Sequence, residues 1–146
     1  MAAEHTAHAS WRGDLMGGSG TFSLGSGAAT GVELSWKARA EDASAGSSPE
    51  ELIAAALAAC FSMALSHGLA QGGTPPSSIE TDATATFDRT DEGFRVTTIR
   101  LRTRGRVEGM DDAAFHEAAE TAKQNCPVSK ALEGNVAIEL DAALAG

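Results

Sequence analysis

The stretch from Pro49 to Gln71 most narrows what this chain can fold into. Alanine and leucine occupy nearly every face of it, and no charged side chain follows Glu51 before His67. Its start carries the marks of a helix N-terminus: Ser48 as the N-cap, Pro49 at the first helical position and Glu51 completing a capping box. Gly72-Gly73-Thr74-Pro75-Pro76 closes it, so the pattern predicts one helix over 49–71. A helix apolar on all sides does not lie on a surface. It is expected to be buried all round, at the centre of whatever the other elements build.

Those other elements are mostly strands. Short apolar pieces separated by Gly17-Gly18-Ser19-Gly20 and Gly25-Ser26-Gly27 predict strands near 6–12, 20–24 and 32–38. After the helix, 79–88 and 94–107 read as a hairpin turned at Arg89-Thr90-Asp91-Glu92-Gly93. In its second arm the apolar parity switches from Phe94 and Val96 to Ile99 and Leu101, which predicts a bulge near Thr97-Thr98. A second helix starts at Asp111 or Asp112 and runs to Asn125. Pro127 interrupts it, 128–132 makes a short third helix ended by Gly134, and 135–142 makes a last strand. The reading is an α+β chain of order βββ-α-ββ-αα-β, one domain over 1–146.

Composition excludes some partners. The formal charge is −9, so nucleic acid and anionic membrane surfaces are repelled by the average field. No uninterrupted apolar run reaches the ~18 residues of a membrane helix, and no basic residue precedes an apolar stretch at the start. The expectation is a soluble, cytoplasmic protein with no membrane or nucleic-acid partner. In a reducing cytosol the two cysteines, Cys60 and Cys126, do not form a permanent structural disulfide. They are either packed thiols or transient redox groups.

Cys60 lies in the alanine-rich helix, where burial alone makes a thiol inert. Any activating cation comes from elsewhere in the fold, because its own helix offers only Glu50, Glu51 and His67 as chargeable side chains. Glu50 precedes Cys60 by a rise of about 15 Å along a helix, so the two do not touch within one chain. Antiparallel packing of two copies across a twofold axis would bring Glu50 of one beside Cys60 of the other. Cys126, before Pro127, sits at a bend between helices. Its distance from Cys60 is a property of the fold alone.

Other signals point to no chemistry. Arg95, Arg100, Arg102, Arg104 and Arg106 form a stripe that reads as a solvated strand face. The histidines lack partners at metal-ligand spacing, and the glycine-rich segment near the start does not match a phosphate loop. No metal and no cofactor are expected.

Ser48-Pro49-Glu50-Glu51-Leu52-Ile53 through Cys60-Phe61-Ser62-Met63, with Asn125-Cys126-Pro127-Val128-Ser129, Trp11-Arg12-Gly13-Asp14 and Asp91-Glu92-Gly93-Phe94, resembles the osmotically inducible protein C (OsmC) and organic hydroperoxide resistance family, its OsmC branch in particular. The resemblance implies an intertwined homodimer with two central helices wrapped by antiparallel sheets. It also implies a thiol peroxidase acting on organic hydroperoxides. Carried over, it makes Cys60 the peroxidatic cysteine and Cys126 the resolving cysteine. Glu50 and an arginine complete the site: Arg39, with Arg12 as the competitor. Phe61 and Met63 are candidates to line the approach of an alkyl tail. The implied reductant is an external dithiol, a lipoyl group being one. The other readings are a thiol-based sensor, a module that binds a small hydrophobic ligand without turnover, and a scaffold with structural cysteines.

Overall fold

A computed structural model describes residues 1–146. The chain packs as two compact units, Met1–Leu52 and Ile53–Gly146.

The first unit holds a three-stranded antiparallel sheet in the order β1 (Ala7–Arg12), β2 (Ser19–Leu24), β3 (Val32–Leu34). The β1–β2 turn is closed by Asp14, whose Oδ1 accepts from the Gly17 N–H at 2.8 Å and whose carbonyl accepts from the Trp11 indole at 3.1 Å. The third strand is shorter than its apolar pattern predicts. It ends at Leu34, and Lys37–Glu41 coil into one wide π-helical turn. Ser35 accounts for the break, since its Oγ accepts from the Ala38 N–H at 3.1 Å and draws the backbone out of the extended conformation. The Asp42 N–H then bonds the Lys37 carbonyl at 2.7 Å, closing the wide turn. Arg39 is carried on it.

Helix α1 occupies Pro49–Gln71, with the Ser48 Oγ accepting from the Glu51 N–H at 3.1 Å as the capping sequence requires. Within the second unit Leu57, Phe61, Leu65 and Leu69 form its buried face, packed with Ile99, Leu101, Val107, Phe115 and Ala119. The opposite face departs from the expectation of burial all round. Ala55, Ala56, Ala59 and Met63 lie open to solvent in the single chain, Met63 at 73% exposure. The helix is long and apolar enough by length and composition to cross a bilayer, with a mean hydropathy of 1.8 in its best window. Its buried leucines and Phe61 nevertheless belong to this unit's core.

Strands β4 (Ser78–Thr90) and β5 (Gly93–Arg106) form the long hairpin. Gly93 takes a φ of 100° at the turn, a conformation that glycine tolerates and other residues resist. Thr86 pairs with Thr98 but Phe87 pairs with Val96, so Thr97 is the extra residue of a bulge, where the parity switch puts it. Four arginines of the stripe are ion-paired: Arg95 with Glu92, Arg100 with Glu139, Arg102 with Asp82 and Arg104 with Asp141.

Helix α2 (Asp112–Asn125) is capped by Asp111, whose Oδ1 accepts from the Ala114 N–H at 2.8 Å. Helix α3 (Pro127–Leu132) follows after one residue, and β6 spans Ala137–Leu144. β6 lies parallel to β5, from Thr98 opposite Ala137 to Gly105 opposite Leu144. The second sheet is therefore mixed, where only antiparallel sheets were expected, because α2 and α3 form the crossover that a parallel pair needs. Gly105 leaves room for Phe115: a Cβ there would meet the ring at 2.5 Å.

Candidate active site

The two cysteines come together in the second unit. Cys60 is half-buried on α1 and Cys126 fully buried at the α2–α3 junction; both are free thiols packed in one hydrophobic cluster, and each acts on the other's proton. The junction is fixed by the chain itself. Pro127 excludes the helical conformation for the residue before it, and Cys126 accordingly takes φ −59° and ψ 123°, leaving α2 and capping α3 at once. Its N–H still donates to the Ala122 carbonyl at 2.9 Å and its carbonyl accepts from the Lys130 N–H at 3.0 Å. The sulfur is thus held against α1 by a backbone anchored on both sides.

The pair shares its protons unequally. Burial pushes the Cys60 thiol up, and the hydrogen bond with Cys126 pushes it further. Burial acts in the same sense on Cys126 but is outweighed by hydrogen bonding from Cys60 and from the backbone N–H groups of Ser129 and Val128 at the start of α3, with the Ser129 hydroxyl acting in the same direction, so the Cys126 thiol lies below its ordinary value. In this chain a negative charge rests more comfortably on Cys126 than on Cys60.

The first unit contains a fixed cation. Arg39 Nε donates to both carboxylate oxygens of Glu50 at 3.1 Å, and its Nη2 donates to Oε1 at 2.8 Å. Glu50 is only 5% exposed, so its charge is taken out of water and held in a chelating guanidinium pair. Beside the pair lies an apolar recess of about 400 Å³ lined by Trp11, Leu15, Leu34, Trp36, Arg39 and Pro49. Arg12 is elsewhere, exposed on β1 in a polar hollow with Ser10, Ser19, Thr21 and Glu33; Glu50 takes Arg39 and not Arg12 as its ion-pair partner.

A family model described as OsmC-like protein matches residues 39–141. The chain belongs to the OsmC-like protein family. It is 40% identical over 139 residues to a protein named peroxiredoxin OsmC from Escherichia coli (strain K12), covering 95% of this chain and 96% of that one. It is 36% identical over 98 residues to organic hydroperoxide resistance protein OhrB of Bacillus subtilis (strain 168), covering 66% and 69%. The crystal structure of that OhrB superposes with a TM-score of 0.74 at 26% identity over 94% of this chain and 97% of the other. An organic hydroperoxide resistance protein OsmC from Legionella pneumophila gives 0.77 over 97% and 99%, at 22% identity, a likeness of fold alone. This OsmC-like chain has the expected α+β element order.

Of the residues singled out in the sequence, Cys60 and Cys126 are brought together, as are Arg39 and Glu50. Phe61 is fully buried in the core and does not line an approach path; Met63 is exposed. Two serines that sequence reasoning left without a role emerge here. Ser62 Oγ donates to Thr81 Oγ1 at 2.8 Å, and Thr81 shares a 3.0 Å hydrogen bond with the buried Thr103, tying α1 to the hairpin. Ser129 is the other, three residues past Cys126. The only signal for it was its place in the motif one helical turn from the thiol.

Proposed function

We propose that this OsmC-like chain is a thiol-dependent peroxidase that reduces organic hydroperoxides to alcohols, acting as a single domain over 1–146 in the cytoplasm. The packing of two free thiols, 66 residues apart in sequence, into one cluster carries this reading, and the names of the relatives support it.

The Cys60 thiolate attacks the distal peroxide oxygen. The O–O bond breaks, the alkoxide leaves and takes up a proton as alcohol, and Cys60 becomes a sulfenic acid. Cys126 condenses with it: an S–S bond forms, the S–O bond breaks, and the hydroxyl departs as water with the proton of the second thiol. An external dithiol, a lipoyl group being the favoured class, reopens the disulfide by exchange.

Because burial and Cys126 favour the protonated form of Cys60, the mechanism assigns Arg39 to supply the cation, with Glu50 fixing the guanidinium. The apolar recess beside Arg39 suits an alkyl tail. A homodimer in which α1 of one chain covers the open Ala55, Ala56, Ala59 and Met63 face of its partner supplies the burial that the helix composition demands.

Turnover of cumene hydroperoxide with dihydrolipoamide tests the proposal. Cys60→Ser abolishes it. Cys126→Ser permits one reduction per site and then stalls. Full activity of Cys60→Ser overturns the reading, and stoichiometric oxidation of the unsubstituted protein without turnover makes it a sensor instead.

A further inference from the structure

Ser129 is 6% exposed, and its Oγ has no conventional hydrogen-bond partner. A hydroxyl buried without a partner is costly, so such a group in a small core needs a reason. Serine inside a helix ordinarily returns its proton to a carbonyl one turn back. Here that route is not used. Ser129 lies one helical turn past Cys126, the N-cap of α3, and its side chain is among the groups that act on the Cys126 thiol.

We propose that Ser129 is a positioning residue for the resolving step, its hydroxyl directed at the Cys126 sulfur to stabilise the thiolate that attacks the oxidised Cys60. This rests on the peroxidase reading for its catalytic meaning and deepens it. In the reduced protein the hydroxyl is a spare donor beside a thiol. When Cys126 loses its proton, the same donor gains a charged acceptor, and a hydrogen bond to a charged group is roughly twice as strong as a neutral one. The thiolate then forms the S–S bond to Cys60, the S–O bond breaks, and the departing hydroxyl takes up the released proton as water. The Cys126 sulfur is reduced no further in this step: it is oxidised to the disulfide level while the Cys60 sulfur is reduced from the sulfenic level.

The groups that act on Cys126 are few, which makes the hydroxyl separable. From α1 the titratable group is Cys60. On α2, Lys123 pairs with Glu120 at 3.1 Å. On α3, Lys130 is exposed. The β5 residues of the same core, Ile99 and Leu101, carry no charge.

The test uses the full chain with Cys60→Ser, so that Cys126 is the only thiol. Thiolate absorbance at 240 nm is followed against pH, with circular dichroism as the folding check. Ser129→Ala is expected to lower the Cys126 thiolate fraction about tenfold below its midpoint, a shift of about one pH unit, and Ser129→Thr is expected to recover most of it. A Ser129→Ala curve that overlays its parent overturns the proposal, as does a folded Ser129→Thr protein no better than the alanine variant. A second measurement uses both cysteines: after one equivalent of cumene hydroperoxide, disulfide closure in Ser129→Ala is about tenfold slower near pH 7, and the deficit shrinks as pH rises. If the unsubstituted protein forms no disulfide, the peroxidase reading fails while the 240 nm titration still decides the role of Ser129.

Discussion

Arg39 holds Glu50 through three hydrogen bonds from one edge of its guanidinium, at 2.8 to 3.1 Å, with the carboxylate almost wholly buried. Charge-assisted pairs of this kind fix a cation in orientation as well as in place. In the proposed mechanism that orientation serves Cys60. Glu50→Gln keeps the shape and removes the charge, and is expected to cut kcat/KM for an alkyl hydroperoxide about 10–100-fold, roughly 1.4–2.7 kcal/mol of transition-state stabilisation. Arg39→Lys keeps the charge but loses the fork, and is expected to fall as far. Steady-state kinetics with both variants near wild-type values would remove the pair from the mechanism.

Burial is the largest influence on Cys60 and holds its thiol above the ordinary 9.0. An Arg39→Gln, Cys126→Ser protein keeps that burial and removes both the proposed cation and the second thiol. A folded-state value raised above the unfolded one contributes stability that is complete below the unfolded value and is lost as pH climbs through the folded one. Urea midpoints of this variant are therefore expected to decline as pH rises past about 9, more steeply than those of an otherwise identical Cys60→Ser protein. Parallel curves would show that burial does not perturb Cys60.

Met63 stands at 73% exposure on an otherwise apolar helix face with Ala55, Ala56 and Ala59. If a second copy covers that face, a charge at its centre is buried without a partner. Met63→Glu is expected to shift sedimentation from dimer to monomer at micromolar concentration. A wild-type monomer, or a Met63→Glu protein that remains a dimer, contradicts the proposed assembly.

Gly105 tests the packing of the second unit. The Phe115 ring lies where a Cβ would be, at 2.5 Å, and both neighbours are fixed in a full core. Gly105→Ala is expected to destabilise by about 1–3 kcal/mol through overpacking, and Phe115→Leu added to it is expected to recover part of the loss. Thermal melts of the two variants measure both effects.

Local rules were readable where one residue decides the outcome. Ser48, Pro49 and Glu51 announced α1, and the capping bond is there at 3.1 Å. The parity switch after Val96 announced the bulge at Thr97. The wide turn at Lys37–Glu41 was not readable, because Trp36 and Ala38 continue an alternating pattern that a single hydrogen bond from Ala38 to Ser35 breaks. Periodicity gives the face of β6 but not its direction, which the α2–α3 crossover sets. The composition of α1 correctly marked a segment that seeks cover, yet one chain buries only the face with Leu57, Phe61, Leu65 and Leu69. The chemistry divided the same way. Glu50 and the two cysteines stood out by their setting in the motif, whereas the meeting of Cys60 with Cys126 is made by β5, α2 and a proline acting together.

Mass spectrometry after one equivalent of cumene hydroperoxide, on fully reduced protein digested without reductant, tests the redox pair most directly. The account predicts one mole of cumyl alcohol per chain and a peptide joined through Cys60 and Cys126. Both thiols intact, or Cys60 carried on to sulfinic acid with Cys126 still free, would contradict it.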